Sequence, residues 1–252
     1  MGAWLRTMVV VAAAAMVAGS AAAQPRTLVV GVEEIDYLPA YGWRDGDYSG
    51  AAREILDAFA ADRGYRMVYR PLPIKRLYAE LIHHEIDLKF PDNPVWALPL
   101  KQGHRVAYST PVIRYTDGVM VPAGHPVPAV GDIKALGMVS GFTPAGWQAR
   151  IAAGAVTVKE TARVGQAVRQ VLRGFTDGAY VSVAAAHHIL ADLGRPGALV
   201  FAATLPHANG SYSLSSDSHP EVIKAFDAWL AANAGRVQAI KDRTGAERGI
   251  EK

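Results

Sequence analysis

Four stretches of this chain set polar or acidic groups beside aromatic rings, each just after an apolar run or at its end. Glu33, Glu34, Asp36, Tyr37 and Tyr41 follow the run 28–32, with Trp43 beyond. Asp92, Asn93 and Trp96 follow the run 86–90. Ser140, Phe142 and Thr143 follow 136–139, and Tyr180 and Ser182 close 178–181. Carboxylates and ring faces both attract cations, and a carboxyl kept away from water can work as a general acid. The stretches at 140–143 and 180–182 add hydroxyls and, if a helix starts there, free backbone N–H groups. An acidic, aromatic surface facing a donor-rich one suits a polar ligand with cationic or ring character. The candidate ligand-binding residues are therefore Glu34, Asp36, Tyr37, Asp92, Asn93, Trp96, Phe142, Thr143, Tyr180 and Ser182. Each ring has the alternative of ordinary core packing.

Other chemistries find less support. His83-His84-Glu85 and His187-His188 are adjacent pairs on expected helices, where neighbours point apart, so neither is a ready chelate. A G-x-S-x-G nucleophile elbow is absent, and Ser182 has no obvious base near it. The chain has no cysteine, hence no thiolate nucleophile, thiolate metal ligand or disulfide. Glu33, Glu34 or Asp92 could serve as a general acid, but no enzyme-specific motif accompanies them. The expectation is a binding protein without catalytic residues, metal or cofactor.

The elements that must hold these residues alternate. Residues 28–32 form an apolar run of the kind a parallel sheet buries on both faces. Ser49 is placed to cap a helix over 51–63, which Gly64 ends. Residues 66–70 read as a strand, 76–84 as a helix and 86–90 as a strand. Strands follow over 105–108 and 115–121, then a proline-rich loop over 122–128. The rhythm resumes with strands at 136–139, 156–158, 178–181, 199–201 and 212–214. Helices fall at 144–153, 164–173, 184–193 and 220–234, and the charged tail from Gly235 is expected to fray. This is an α/β layout in two units, joined near residue 117, with the chain returning near residue 211.

The first 23 residues carry one charge, Arg6, an apolar run over 8–17 and small residues at 21–23. That is the pattern of a secretory signal peptide, and the run is shorter than the ~20 residues a membrane span needs. Cleavage after Ala23 would leave 252 − 23 = 229 residues and lower the formal charge from +3 to +2. So near-neutral a balance argues against a nucleic-acid partner. Without a cysteine the chain cannot carry a lipoprotein anchor. A soluble monomer in the periplasm is expected.

The order of motifs resembles the family 3 extracellular solute-binding proteins of bacterial ABC importers, which include polar amino-acid receptors. The resemblance runs through a strand ending in Gly31-Val32, Gly46-x-Tyr48-Ser49-Gly50 before a helix, Ile86-Asp87-Leu88, Tyr108-Ser109-Thr110-Pro111, Gly141-Phe142-Thr143, Arg173-Gly174-x-x-Asp177-Gly178-Ala179 and His219-Pro220-Glu221. It implies two α/β lobes, about 24–115 with 212–252 and 116–211, that close by a hinge on a small molecule. It also implies a membrane permease, or a sensor receptor, as partner. A few proteins of this fold are dehydratases.

Two departures matter. The family's amino-acid receptors carry an arginine shortly before F-S-x-P that forks onto the substrate carboxylate. The matching positions here are Gln102 or Lys101. They also carry an aspartate, five residues after the G-x-x-D aspartate, that receives the ammonium group. The matching position here is Ser182, which can bond a ligand but cannot balance a buried ammonium. A free α-amino acid is therefore not the expected ligand.

Overall fold

The computed structural model describes residues 25–250, so the expected signal segment lies outside the described residues. Strand β1 (Arg26–Glu33) is buried along Val30–Glu33 and pairs in parallel with β5 (Tyr65–Leu72) and β6 (Leu88–Asp92). Between β1 and β5 lie the short strands β2 (Asp36–Tyr37), β3 (Tyr41–Arg44) and β4 (Asp47–Ser49), which form a separate antiparallel sheet, and helix α1 (Ala51–Arg63). Helix α2 (Ile74–Ile82) links β5 to β6, and the single turn α3 (Leu98–Lys101) precedes β7 (Ala107–Tyr108).

Strand β8 (Ile113–Pro122) opens the second half of the sheet. There β9 (Ala135–Val139), β10 (Thr157–Thr161) and β11 (Gly178–Ser182) run in parallel, and β11 lies antiparallel to β8. Helices α4 (Gln148–Ala152), α5 (Val164–Leu172) and α6 (Val183–Asp192) alternate with these strands, and β12 (Leu199–Phe201) pairs with β8. Strand β13 (Ala208–Ser216) joins the halves. Residues 208–212 pair with β8, while Ser213 and Ser215 pair with β6, with an irregularity between them. The order is β10-β9-β11-β8-β13-β6-β1-β5. The chain ends in α7 (Pro220–Ala232) and α8 (Ala234–Thr244).

Packing explains the helices. In α1 the residues Ile55, Leu56 and Phe59 recur on one face and are buried. Phe59 meets Phe226 of α7 at 5.0 Å between ring centroids, and Phe226 stacks on Trp229. Each such side chain removed from water contributes about 1.5–3 kcal/mol. Gly64 ends α1 in the left-handed region at φ 69°, where a side chain would be strained.

Several sequence expectations are corrected. Gly50, not Ser49, is the α1 N-cap, and no side chain caps it. The helix expected over 144–153 shrinks to five residues, because Gly146 turns the chain at φ 75° just before it. The strand expected over 105–108 is only two residues long, whereas that expected over 212–214 extends to nine by pairing with both halves. Helix α2 stops at Ile82, so His83 and His84 are not helical neighbours; His84 has φ 59° and reaches Asp217 at 3.0 Å. The tail does not fray over 234–244. It forms α8, which buries Val237 and Ile240, while Glu247 just beyond it bonds Arg114 and Lys241.

Candidate functional site

A cavity of about 510 Å³ opens where β13 and β8 cross between the halves. Glu33 at the end of β1, Tyr37 and Tyr41 from the hairpin, and Ile74 and Tyr78 from α2 line it from one side. The loop Val95-Trp96-Ala97 forms a rim. Gly141, Phe142, Thr143, Ala145 and Tyr180 line it from the other half, and Tyr115, Asp117, Ala208 and Tyr212 come from the crossing strands. No lysine or arginine is among these residues.

The rings form a continuous wall. Tyr115 and Tyr212 stack at 4.6 Å, and Trp96 lies 6.0 Å from each. Tyr212 meets Tyr41 at 5.3 Å, Tyr41 meets Tyr37 at 5.4 Å and Tyr37 meets Phe142 at 5.5 Å. Gly210 makes the first of these stacks possible. It is paired with Tyr115 across the ladder, and a Cβ there would come within 2.5 Å of the Tyr115 hydroxyl.

Two carboxylates face this wall. The Tyr41 hydroxyl donates to Glu33 at 2.9 Å, and the Tyr37 hydroxyl donates to Asp117 at 3.2 Å. Burial pushes the Asp117 carboxyl up to about 7; the Tyr37 hydrogen bond opposes the shift and the Glu33 charge adds to it. Burial also raises Glu33, while the Lys89 ammonium and the Tyr41 hydroxyl pull it back. Tyr37, Tyr212 and Tyr180 are all pushed upward, first by burial and then by the charge of Asp117, and the same two causes push Tyr115 up to about 12, so all four stand near this carboxylate as neutral phenols.

Of the ten candidates, the structure brings Tyr37, Trp96, Phe142, Thr143 and Tyr180 to the cavity and leaves the other five off its lining. Glu34 is exposed, and its backbone N–H bonds Leu72. Asp36 forms a 2.6 Å ion pair with Arg44. Asp92 is wholly buried, accepting from Ser215 at 2.7 Å, the Asn93 N–H at 2.7 Å and Tyr78 at 3.3 Å, with Lys89 at 3.7 Å and Lys101 at 3.8 Å. Asn93 donates to the Ser211 carbonyl and accepts from the Val95 N–H. Ser182 caps α6 by accepting from the Ala185 N–H.

The expected donors on the second half are also altered. Helix α4 begins at Gln148, so Phe142 and Thr143 do not stand at a helix N-terminus. The Ala145 N–H donates to the Tyr180 hydroxyl, and the Ser182 N–H donates to that of Tyr37. Lys101, one of the positions matching the absent arginine, is turned away; its ammonium donates to Tyr108 at 2.7 Å and to the Asn93 carbonyl.

Asp117, Tyr78, Tyr115 and Tyr212 line the cavity without having been singled out, and Glu33 and Tyr41, which the sequence sets just after the first strand but outside the ten candidates, line it as well. Asp117 sits directly opposite Ser182 in the antiparallel ladder of β8 and β11. Opposed residues project to the same face. A carboxylate thus stands on the same rung as position 182, where the resemblance implies an aspartate, but on the neighbouring strand.

No family model matches the chain, and no curated protein matches it. Solved structures do. A histidine kinase sensor domain with similarity to periplasmic binding proteins is 20% identical with a TM-score of 0.69, over 88% of this chain and 96% of that one. The arginine-, lysine-, histidine-binding protein ArtJ from Geobacillus stearothermophilus is 20% identical with a TM-score of 0.67, over 87% and 95%. An ancestral amino-acid-binding protein, a precursor of cyclohexadienyl dehydratase, is 18% identical with a TM-score of 0.66, over 86% and 94%. The chain has the two-lobed periplasmic-binding-protein type II fold that the sequence resemblance implies.

Proposed function

We propose that this protein captures a small organic cation, an amine without a carboxylate, in the cleft between its two lobes. The observation that carries the reading is Asp117: a carboxylate open to the cavity, ringed by Tyr37, Tyr115, Tyr180 and Tyr212, with no cationic side chain on the lining. An ammonium group there gains a charge-assisted hydrogen bond and ring faces that attract it. The carboxylate of a free amino acid would find neither an arginine nor the N–H groups of Ala145 and Ser182, which serve tyrosine hydroxyls. Left unpaired in a dry cleft, it costs several kcal/mol, of the order of its desolvation.

The lobes in this reading are 24–115 with 212–252 and 116–211. The change of partner along β13 at Tyr212 and Ser213 supports that division. Tyr37, from the first lobe, bonds Asp117 and Ser182 of the second, so it ties the lobes together and would readjust as ligand enters. The protein works in the periplasm as a monomer, exported by its N-terminal segment, and presents its ligand to a membrane permease or a sensor receptor. Among the described residues no helix is long and apolar enough to cross a membrane.

A thermal-shift screen of amines, amino acids, polyamines, organic acids and sugars tests this. A ligand at 100 times its Kd adds about 2.7 kcal/mol to stability. Shifts confined to amines support the reading, and shifts confined to amino acids or acids refute it. Asp117 also favours a second reading, because a carboxyl held at about 7 is suited to general acid–base catalysis as in a dehydratase. Conversion of the bound compound, followed by mass spectrometry, separates the two.

A further inference from the structure

The cavity and the layer beneath it hold three carboxylates, Glu33, Asp92 and Asp117, but only two ammonium groups, Lys89 and Lys101. The two lysines converge on one oxygen of Asp92, at 3.7 and 3.8 Å. Lys89 has no exposed surface; it donates to the Pro91 carbonyl and lies 4.4 Å from the centre of the Tyr78 ring. Lys101 lies 5.6 Å from the same ring. One aspartate cannot neutralise two lysines, so one positive charge is left over below the cavity floor. Lys89 is paired with Gly31 on the neighbouring strand, so Glu33, two residues beyond Gly31, projects to the same face of the sheet and lines the cavity there. Asp117 has a tyrosine hydroxyl and, among the described residues, no cation paired with it.

Resting on the amine reading above, we infer that Lys89 sets the charge of the ligand: by balancing Glu33 from below, it leaves Asp117 as the single receptor and restricts the cleft to one ammonium group. A second ammonium, brought to the Glu33 end, would meet a carboxylate already compensated and the repulsion of a buried lysine behind it. Lys89 acts through Glu33 and touches no ligand, so it is a specificity-determining residue that works by position.

The test is calorimetric titration at pH 8 with phenethylamine and with 4-(aminomethyl)phenethylamine, which differ by one protonated amine. The expected result is that the parent protein binds the monoamine about tenfold tighter or better. Lys89→Met should shift the ratio toward the diamine by about tenfold, and Lys89→Met with Glu33→Gln should restore the preference. A merely structural lysine would not give a ratio rescued by removing its carboxylate. Should Lys89→Met fail to fold, Lys101→Met removes the same surplus charge from a more accessible position, and the same shift is expected. A diamine bound as tightly as the monoamine by the parent protein overturns the inference alone, as does a folded variant with an unmoved ratio. Binding of neither amine overturns the amine reading and this inference with it.

Discussion

Asp92 and Asp117 are both strand aspartates withdrawn from bulk water, yet their surroundings assign them opposite roles. Asp92 has three hydrogen bonds and two ammonium groups about it, and its capacity as an acceptor is used within the protein. Asp117 has one hydrogen bond from a phenol and a ring of tyrosines, and burial holds its carboxyl at about 7. A buried carboxylate supplied with partners stabilises the fold, whereas one left short of them waits for a partner from outside. In the proposed reading, being an acidic residue near a cleft is not enough to be a receptor; unmet demand for a cation is what singles out Asp117.

Removing each carboxylate in turn should separate the two roles. Asp92→Asn removes the carboxylate that Lys89 and Lys101 both approach, at 3.7 and 3.8 Å, and should cost about 3–5 kcal/mol of folding stability in urea denaturation. An unchanged midpoint would mean that the lysines do not depend on Asp92. Asp117→Asn should instead leave the fold intact and weaken phenethylamine binding about 100-fold, close to 2.7 kcal/mol, by calorimetry. It should also stabilise the empty protein. A folded-state value of about 7 lies above the unfolded one, so ionising Asp117 lowers stability as pH rises from about 4 to 7. The variant escapes that loss, and its advantage over the parent should grow across that window and level off above it.

The two aspartates should also differ in how binding responds to pH. Capture of an amine needs ionised Asp117, so affinity should fall by up to about tenfold per pH unit below 7 and be flat above it. In Asp117→Asn that dependence should vanish, and its persistence would point to Glu33 as receptor. A smaller loss, about 3- to 30-fold, is expected for Trp96→Ala, which opens the aromatic wall beside Tyr115 and Tyr212. Glu34→Gln and Asp36→Asn should change affinity by less than about twofold, since one carboxylate is exposed and the other is engaged by Arg44 on the surface.

The strand–helix alternation was legible because buried parallel strands read as apolar runs and amphipathic helices show their spacing over many residues. The hairpin β2–β4 was not, because strands of two to four residues carry too little pattern. Helix α8 hid in a charged tail, since only Val237 and Ile240 on it are buried. Within the cleft, Tyr37, Trp96, Phe142 and Tyr180 were visible as rings just after strands. Asp117 was not, because it lies inside a run that reads as one ordinary strand. Its position opposite Ser182 depends on the register of β8 against β11, a pairing between segments some 60 residues apart that no local pattern records. Asp92 misled for the converse reason: following a strand placed it among the candidates, while the lysines that neutralise it come from β6 and α3.

The most direct measurement is calorimetric titration of the protein with phenethylamine and with phenylalanine at pH 8. The two share a ring and an ammonium group and differ by one carboxylate. A cleft built on Asp117 without a carboxylate receptor predicts phenethylamine to bind at least about tenfold tighter. Tighter binding of phenylalanine would contradict the account, because its carboxylate would have to be held without a lysine or arginine, neither of which lines this cleft.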